Sequence, residues 1–74
     1  MPHYSFDVIV TLVKFGEQPV VMTRRTLDVY MSIVTEVAYN MTQSYLNRGW
    51  RISSITVGNF DFHNNISEDW DYPS

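Results

Sequence analysis

Residues 4–13, YSFDVIVTLV, alternate. Tyr4, Phe6, Val8, Val10 and Leu12 share one parity; Ser5, Asp7 and Thr11 share the other with Ile9 and Val13. A period of two in a stretch rich in β-branched residues predicts a strand. Apolar residues on both of its faces predict a central one. KFGEQP, residues 14–19, reads as a turn: Gly16 supplies a flexible φ, and Pro19 cannot donate to a central ladder. VVMT, residues 20–23, then forms a short return strand.

From Leu27 the period changes. Leu27, Tyr30, Met31, Val34, Val37, Ala38, Met41 and Tyr45 recur every three or four residues and make one apolar stripe. This spacing predicts one long amphipathic helix over 27–48, roughly 33 Å at 1.5 Å per residue. Thr26 is its expected N-cap, Asp28 suits the positive end of the helix dipole, and Gly49 is a natural C′ residue. WRISSITVGNFDF, residues 50–62, reads as a third strand. Ile52 and Ile55 have opposite parity, which a bulge at Ser53-Ser54 would reconcile, and Gly58 marks a second irregularity. HNNIS is expected to be a loop, with Ser67 capping one helical turn.

These elements predict an α+β domain of topology β-β-α-β. Its small antiparallel sheet has the order 2-1-3, and the long helix packs on the Tyr4/Phe6/Val8/Val10/Leu12 face. One helix covers one face. The other face, showing Ile9 and Val13, calls for a cover: a second copy, a partner or the tail. The domain is expected to span 1–63, with 64–74 an acidic-aromatic tail.

Composition sharpens this picture. A chain of 74 residues is one domain, and at this size folding buries only about 60–65% of the unfolded surface. There is no Cys to staple it. A content of 45% hydrophobic and 15% aromatic residues therefore points to a homo-oligomer or to a partner-bound state. The first residues, MPHYSFDVIVTLVK, lack a basic n-region and a cleavage site. No run approaches the roughly 18 apolar residues of a membrane helix. The expectation is a cytoplasmic protein without membrane contact, so Asn40-Met41-Thr42 and Asn65-Ile66-Ser67 are chance glycosylation sequons.

Charge is divided unevenly. Residues 1–60 hold five bases (Lys14, Arg24, Arg25, Arg48, Arg51) and four acids (Asp7, Glu17, Asp28, Glu36), a net +1. Residues 61–74 hold Asp61, Glu68, Asp69 and Asp71 and no base, a net −4. Acidic tails are often interaction segments.

Candidate chemistry is sparse. Asp61 and His63 share strand parity and could offer two metal ligands, but spacing places no third. His63 reads as a surface residue, and neither a metal nor a cofactor is expected. No nucleophile motif or phosphate-binding loop occurs, so the chain is expected not to be an enzyme. Arg24, Arg25, Arg48 and Arg51 with Phe60 and Phe62 are the residues a small nucleic-acid-binding protein would use. The Arg pairs sit at opposite helix ends and form no continuous basic stripe, so this is the alternative reading. On the predicted helix Tyr39 and Leu46 face away from the core stripe, with Val29 and Ile33 flanking it. With Ile9 and Val13 they are the candidates for self-association as a homodimer.

The tail, NNISEDWDYPS, has two readings. Trp70 and Tyr72 could fold over the open sheet face and complete the core. Alternatively Glu68, Asp69, Trp70, Asp71 and Tyr72 form a recognition segment for a protein with a basic groove. The acids would steer and pair, and the aromatics would anchor. LNRGWRISSI, residues 46–55, resembles small domains in which a helix ends at Gly-Trp and a strand follows. In composition alone the chain resembles small phage-encoded inhibitors: short, acidic and without catalytic motifs. The reading these observations favour is a non-enzymatic protein-binding module, an inhibitor or regulator of a partner protein.

Overall fold

The computed structural model describes residues 2–64. Strand β1 spans Pro2–Val13, β2 Val20–Val29 and β3 Arg51–Asn64. Both outer strands run antiparallel to β1, giving the sheet order β2-β1-β3 expected from the two-faced apolar pattern of β1. Phe6, Val8, Val10 and Leu12 are fully buried on one face, under a helical layer that contributes Ala38. Burying each such side chain stabilises by about 1.5–3 kcal/mol, an upper bound. Val34, Val37, Met41, Tyr45 and Trp50 pack around this cluster from above, and Met22, Ile52, Ile55 and Val57 from the flanking strands.

The helical layer is a correction to the long amphipathic helix over 27–48. Thr26, Leu27, Asp28 and Val29 continue β2, so Thr26 caps no helix; its hydroxyl donates to the Phe6 carbonyl across the ladder, 3.1 Å. A 3-10 turn at Met31–Ile33 leads into α1, Val34–Met41, and together they make eleven residues. The chain then breaks at Thr42. Its side chain is buried and its hydroxyl donates back to the Ala38 carbonyl, 2.7 Å, while its backbone leaves helical geometry at φ −110°, ψ 7°. A single further turn, α2, spans Gln43–Leu46. The spacing misleads because Leu27, Tyr30 and Met31 keep a helical period while lying in strand, turn and 3-10 conformations ahead of α1. The long first half of β1 needed a ladder partner, and that non-local pairing overrode a local period.

The far end of the helical layer ends as Gly49 promised. The Trp50 N–H donates to the Tyr45 carbonyl and the Gly49 N–H to the Leu46 carbonyl, both 3.1 Å, with Gly49 at φ +93°. This is a Schellman motif, sealed by the edge-on contact of Trp50 with Tyr45 at 5.4 Å. Lys14 Nζ donates to the Arg48 carbonyl, 2.9 Å, so the turn after β1 also holds this helix end.

Three bulges set which side chains share a face. Opposite Thr11 and Leu12, β3 carries the extra Ser53, and Ile52 and Ile55 both face the helices. Opposite Ser5, β2 carries Leu27 and Asp28, with Asp28 at φ +56° and its N–H bonded to Ser5 Oγ. Opposite Phe6, β3 carries Asn59 and Phe60, with Asn59 at φ +47°. Asp and Asn tolerate this left-handed region better than other side-chain-bearing residues. Bulges of this kind add twist and re-aim the residues that follow.

Candidate protein-interaction surface

The bulge at Asn59 decides the chemistry of the sheet's two faces at one end. Phe60 and Phe62 are turned to the helix face, where their rings lie 4.8 and 5.3 Å from that of Tyr4. Asp61 is turned to the opposite face, beside Asp7 and Arg25. There Arg25 Nη2 donates to Asp61 Oδ2, 3.1 Å, and Nη1 to the Asn59 carbonyl, 2.7 Å, with Asp7 Oδ1 at 3.4 Å. The Asn59 amide donates to Asp7 Oδ2, 2.6 Å. That hydrogen bond is the largest influence on Asp7 and holds its carboxyl below the usual carboxylate value. Partial burial works against it, while the Arg25 hydrogen bond and charge add to it.

The bare face is thus more polar than its Ile9 and Val13 implied. Both are half-buried. Ile9 leans over Gly58, where an added Cβ would stand 3.1 Å from Ile9 Cδ1. Thr11, Thr23, Ser54 and Thr56 share the face with them.

Among the described residues, five of the eight exposed large apolar side chains gather at the end where β1 begins; Phe15, fully exposed in the turn after β1, and Val21 and Tyr39 lie elsewhere. Leu27 is 68% exposed, and Tyr30 and Met31, where β2 hands over to the helical layer, are half-exposed. Phe60 and Phe62, on β3, are 49% and 56% exposed although they stack on Tyr4. The helical layer, beginning only at Met31, does not cover them. The charged groups at this end are Asp28, within 2.9 Å of His3 Nδ1, and the cluster in which Arg25 meets Asp7 and Asp61. Tyr30 packs edge-on against His3, centroids 4.8 Å apart. The backbone of Asn64, the last described residue, pairs with that of Pro2 at this same end.

Other sequence-derived candidates are dispersed. Tyr39 is half-exposed on α1, but Leu46, beyond the break at Thr42, turns inward and packs on the core, so the two no longer form a pair. Val29 lies in β2 and packs on the core too. Of the four arginines, Arg25 is held by two carboxylates. Arg48 donates to the Ser44 carbonyl, 3.1 Å, and lies over the Tyr45 ring. Arg24 and Arg51 are exposed on opposite outer strands. The backbone of His63 pairs with that of His3. Glu68, Asp69, Trp70, Asp71 and Tyr72, together with the Ser67 cap, lie outside the described residues.

The irregularity expected at Gly58 is the Asn59 bulge. Val57 and Phe60 break parity as Ile52 and Ile55 do, and Gly58-Asn59 is a turn-type dipeptide inside a strand. The Asp28 bulge left no such mark. Among the described residues there is no group of three His, Asp or Glu placed to hold a metal, and no helix is long and apolar enough to cross a membrane. No protein-family model matches the chain, and neither a curated protein nor a solved structure does.

Proposed function

We propose that the protein is a non-enzymatic protein-binding module, and that it binds a basic partner at the end of the sheet where β1 begins. One observation carries this reading: large apolar side chains are exposed together at the end of the sheet where Asn64 pairs with Pro2, and the exposed acids Asp28 and Asp61 border them. Contiguous exposed apolar surface marks interaction sites. Leu27, Tyr30 and Met31 would supply apolar contact. Asp28, continued by Glu68, Asp69 and Asp71 of the tail, would supply the charge that draws a cationic groove. Trp70 and Tyr72 are the anchors in this reading, and inhibition or regulation of that partner would follow from occupying its groove.

Quantitative capture with purified chains tests it. The full chain, Leu27→Ser/Met31→Ser and Asp28→Asn would each be presented to a cationic, aromatic-lined test domain and to a matched neutral one. Binding to the cationic domain, lost in both variants while their circular dichroism is unchanged, supports the reading. Equal binding to both domains overturns it. The alternative, a nucleic-acid binder using Arg24, Arg25, Arg48 and Arg51 with Phe60 and Phe62, predicts oligonucleotide affinity that falls steeply with salt. Against it stands the engagement of Arg25 by Asp7 and Asp61.

A further inference from the structure

The sheet has two outer edges, and their residues differ in a way that selects a partner. At the middle of β2, Val20–Val29, stand Arg24 and Arg25. Pairing β2 with itself about Arg24, a register that keeps both helical layers on one side, sets Arg24 against Arg24 of the second strand, a repulsive arrangement. On β3 the residues between the bulges, Ser54 to Gly58, carry no charge and include the β-branched Ile55, Thr56 and Val57. The bulge residues Ser53 and Asn59 lie three positions either side of Thr56.

We propose that the outer edge of β3 pairs antiparallel with the β3 edge of a second copy about a two-fold axis at Thr56, merging two three-stranded sheets into one. The register follows from that symmetry, and its apolar and charged positions are complementary. Ser53 falls opposite Asn59 of the second copy, so bulge meets bulge and the added twist is matched. On the helix face Ile55 meets Val57, Ile52 meets Phe60, and Trp50, just before β3, meets Phe62. The last two contacts cover the aromatic rings that the helical layer leaves exposed. On the opposite face Arg51 meets Asp61. Asp61 is 67% exposed and binds Arg25 through Oδ2, which leaves its second oxygen to accept from Arg51. Aromatic, β-branched and opposite-charge pairs across antiparallel strands are each favourable. An isologous contact needs this self-complementarity, since each residue meets its counterpart twice. Edge strands are normally blunted by charge; β2 is, and the centre of β3 is not. The inference does not rest on the proposed basic partner. Leu27 and Tyr30 belong to the opposite edge strand and the turn after it, and would stay exposed at two far corners of the dimer.

The test uses the purified full chain alone. Analytical ultracentrifugation over a concentration series should give twice the 8.7 kDa chain mass. Thr56→Lys, which sets two ammonium groups across the axis, should raise the dimer Kd about tenfold or more. Arg51→Ala should weaken it severalfold. Because the chain has no Cys, Thr56→Cys should form an intermolecular disulfide under mild oxidation. Facing Cα atoms in an antiparallel pair are about 4.5–5.5 Å apart, inside the disulfide range. Thr23→Cys on the other edge strand should not cross-link. A monomer at all concentrations, or equal cross-linking at Thr23 and Thr56, overturns the proposal. If Thr56→Lys does not fold, the two cysteine variants decide it. A monomeric result leaves the basic-partner reading to its own capture assay.

Discussion

The two ends of this sheet are built on different principles. Where β1 ends, local signals close the structure: Gly49 stops the helical layer, Trp50 lies on Tyr45, and Lys14 holds the Arg48 carbonyl. Where β1 begins, no helix cap is made. Tyr30 and Ile33 precede the helical segments without a side-chain cap, and two bulges in left-handed geometry shape the strands instead. The first end buries Leu12 completely, while the second leaves Leu27, Phe60 and Phe62 in water. One short helical layer cannot roof a strand of twelve residues. The lesson is that most of the exposed aromatic and aliphatic surface lies where the roof stops, with Phe15 as the exception at the closed end.

Substitutions can break that contrast, and the largest effect is expected at the closed end. Leu12→Ala should destabilise by about 2–5 kcal/mol in chemical denaturation, as a cavity in a core with no room to relax. A loss under about 1 kcal/mol would mean that the closed end is not packed as described. Gly49→Ala comes next. Its Cβ would meet only Lys14 Cε at 3.8 Å, ordinary contact, so the penalty is the left-handed backbone alone, about 1–2 kcal/mol.

At the open end the effects shrink and change in kind. Asn59→Gly keeps the bulge geometry and removes the amide that holds Asp7 down. The folded Asp7 value lies below the unfolded one, so its contribution is present above the ordinary carboxylate value and is lost as pH falls through the lower folded value. The variant should raise the Asp7 midpoint in an NMR titration and narrow that pH window. An unchanged midpoint would remove Asn59 from the account. Leu27→Ala should be nearly silent, within about 0.5 kcal/mol, yet weaken partner capture. A large stability loss there would show that the open end is closed in solution.

What could be read from the residues follows the same division. The strand order, the Ser53 bulge and the Gly49 stop were legible, because each rests on a short pattern: alternation, a parity slip, or a glycine after an apolar stripe. The start of the helical layer was not legible. Leu27, Tyr30 and Met31 carry a three- and four-residue spacing in strand, turn and 3-10 conformations alike. The facing of Leu46 was missed because Thr42, an ordinary residue in a helical stripe, breaks the helix once its hydroxyl is buried against Ala38. Nor did anything local announce that Arg25 would meet both Asp7 and Asp61, which depends on three strands being aligned at once.

That last contact has a kinetic consequence. Arg25 lies 18 residues from Asp7 and 36 from Asp61 in sequence, so the cluster cannot form until both chain reversals have closed. Loop closure precedes the reward of such distant contacts, which places the cluster after the rate-limiting step of folding. Arg25→Met should therefore leave the refolding limb of a chevron plot nearly unchanged and steepen escape from the native state. On this expectation the cluster is a latch fastened after the sheet has formed, and its small contribution is read in the unfolding rate before the folding rate.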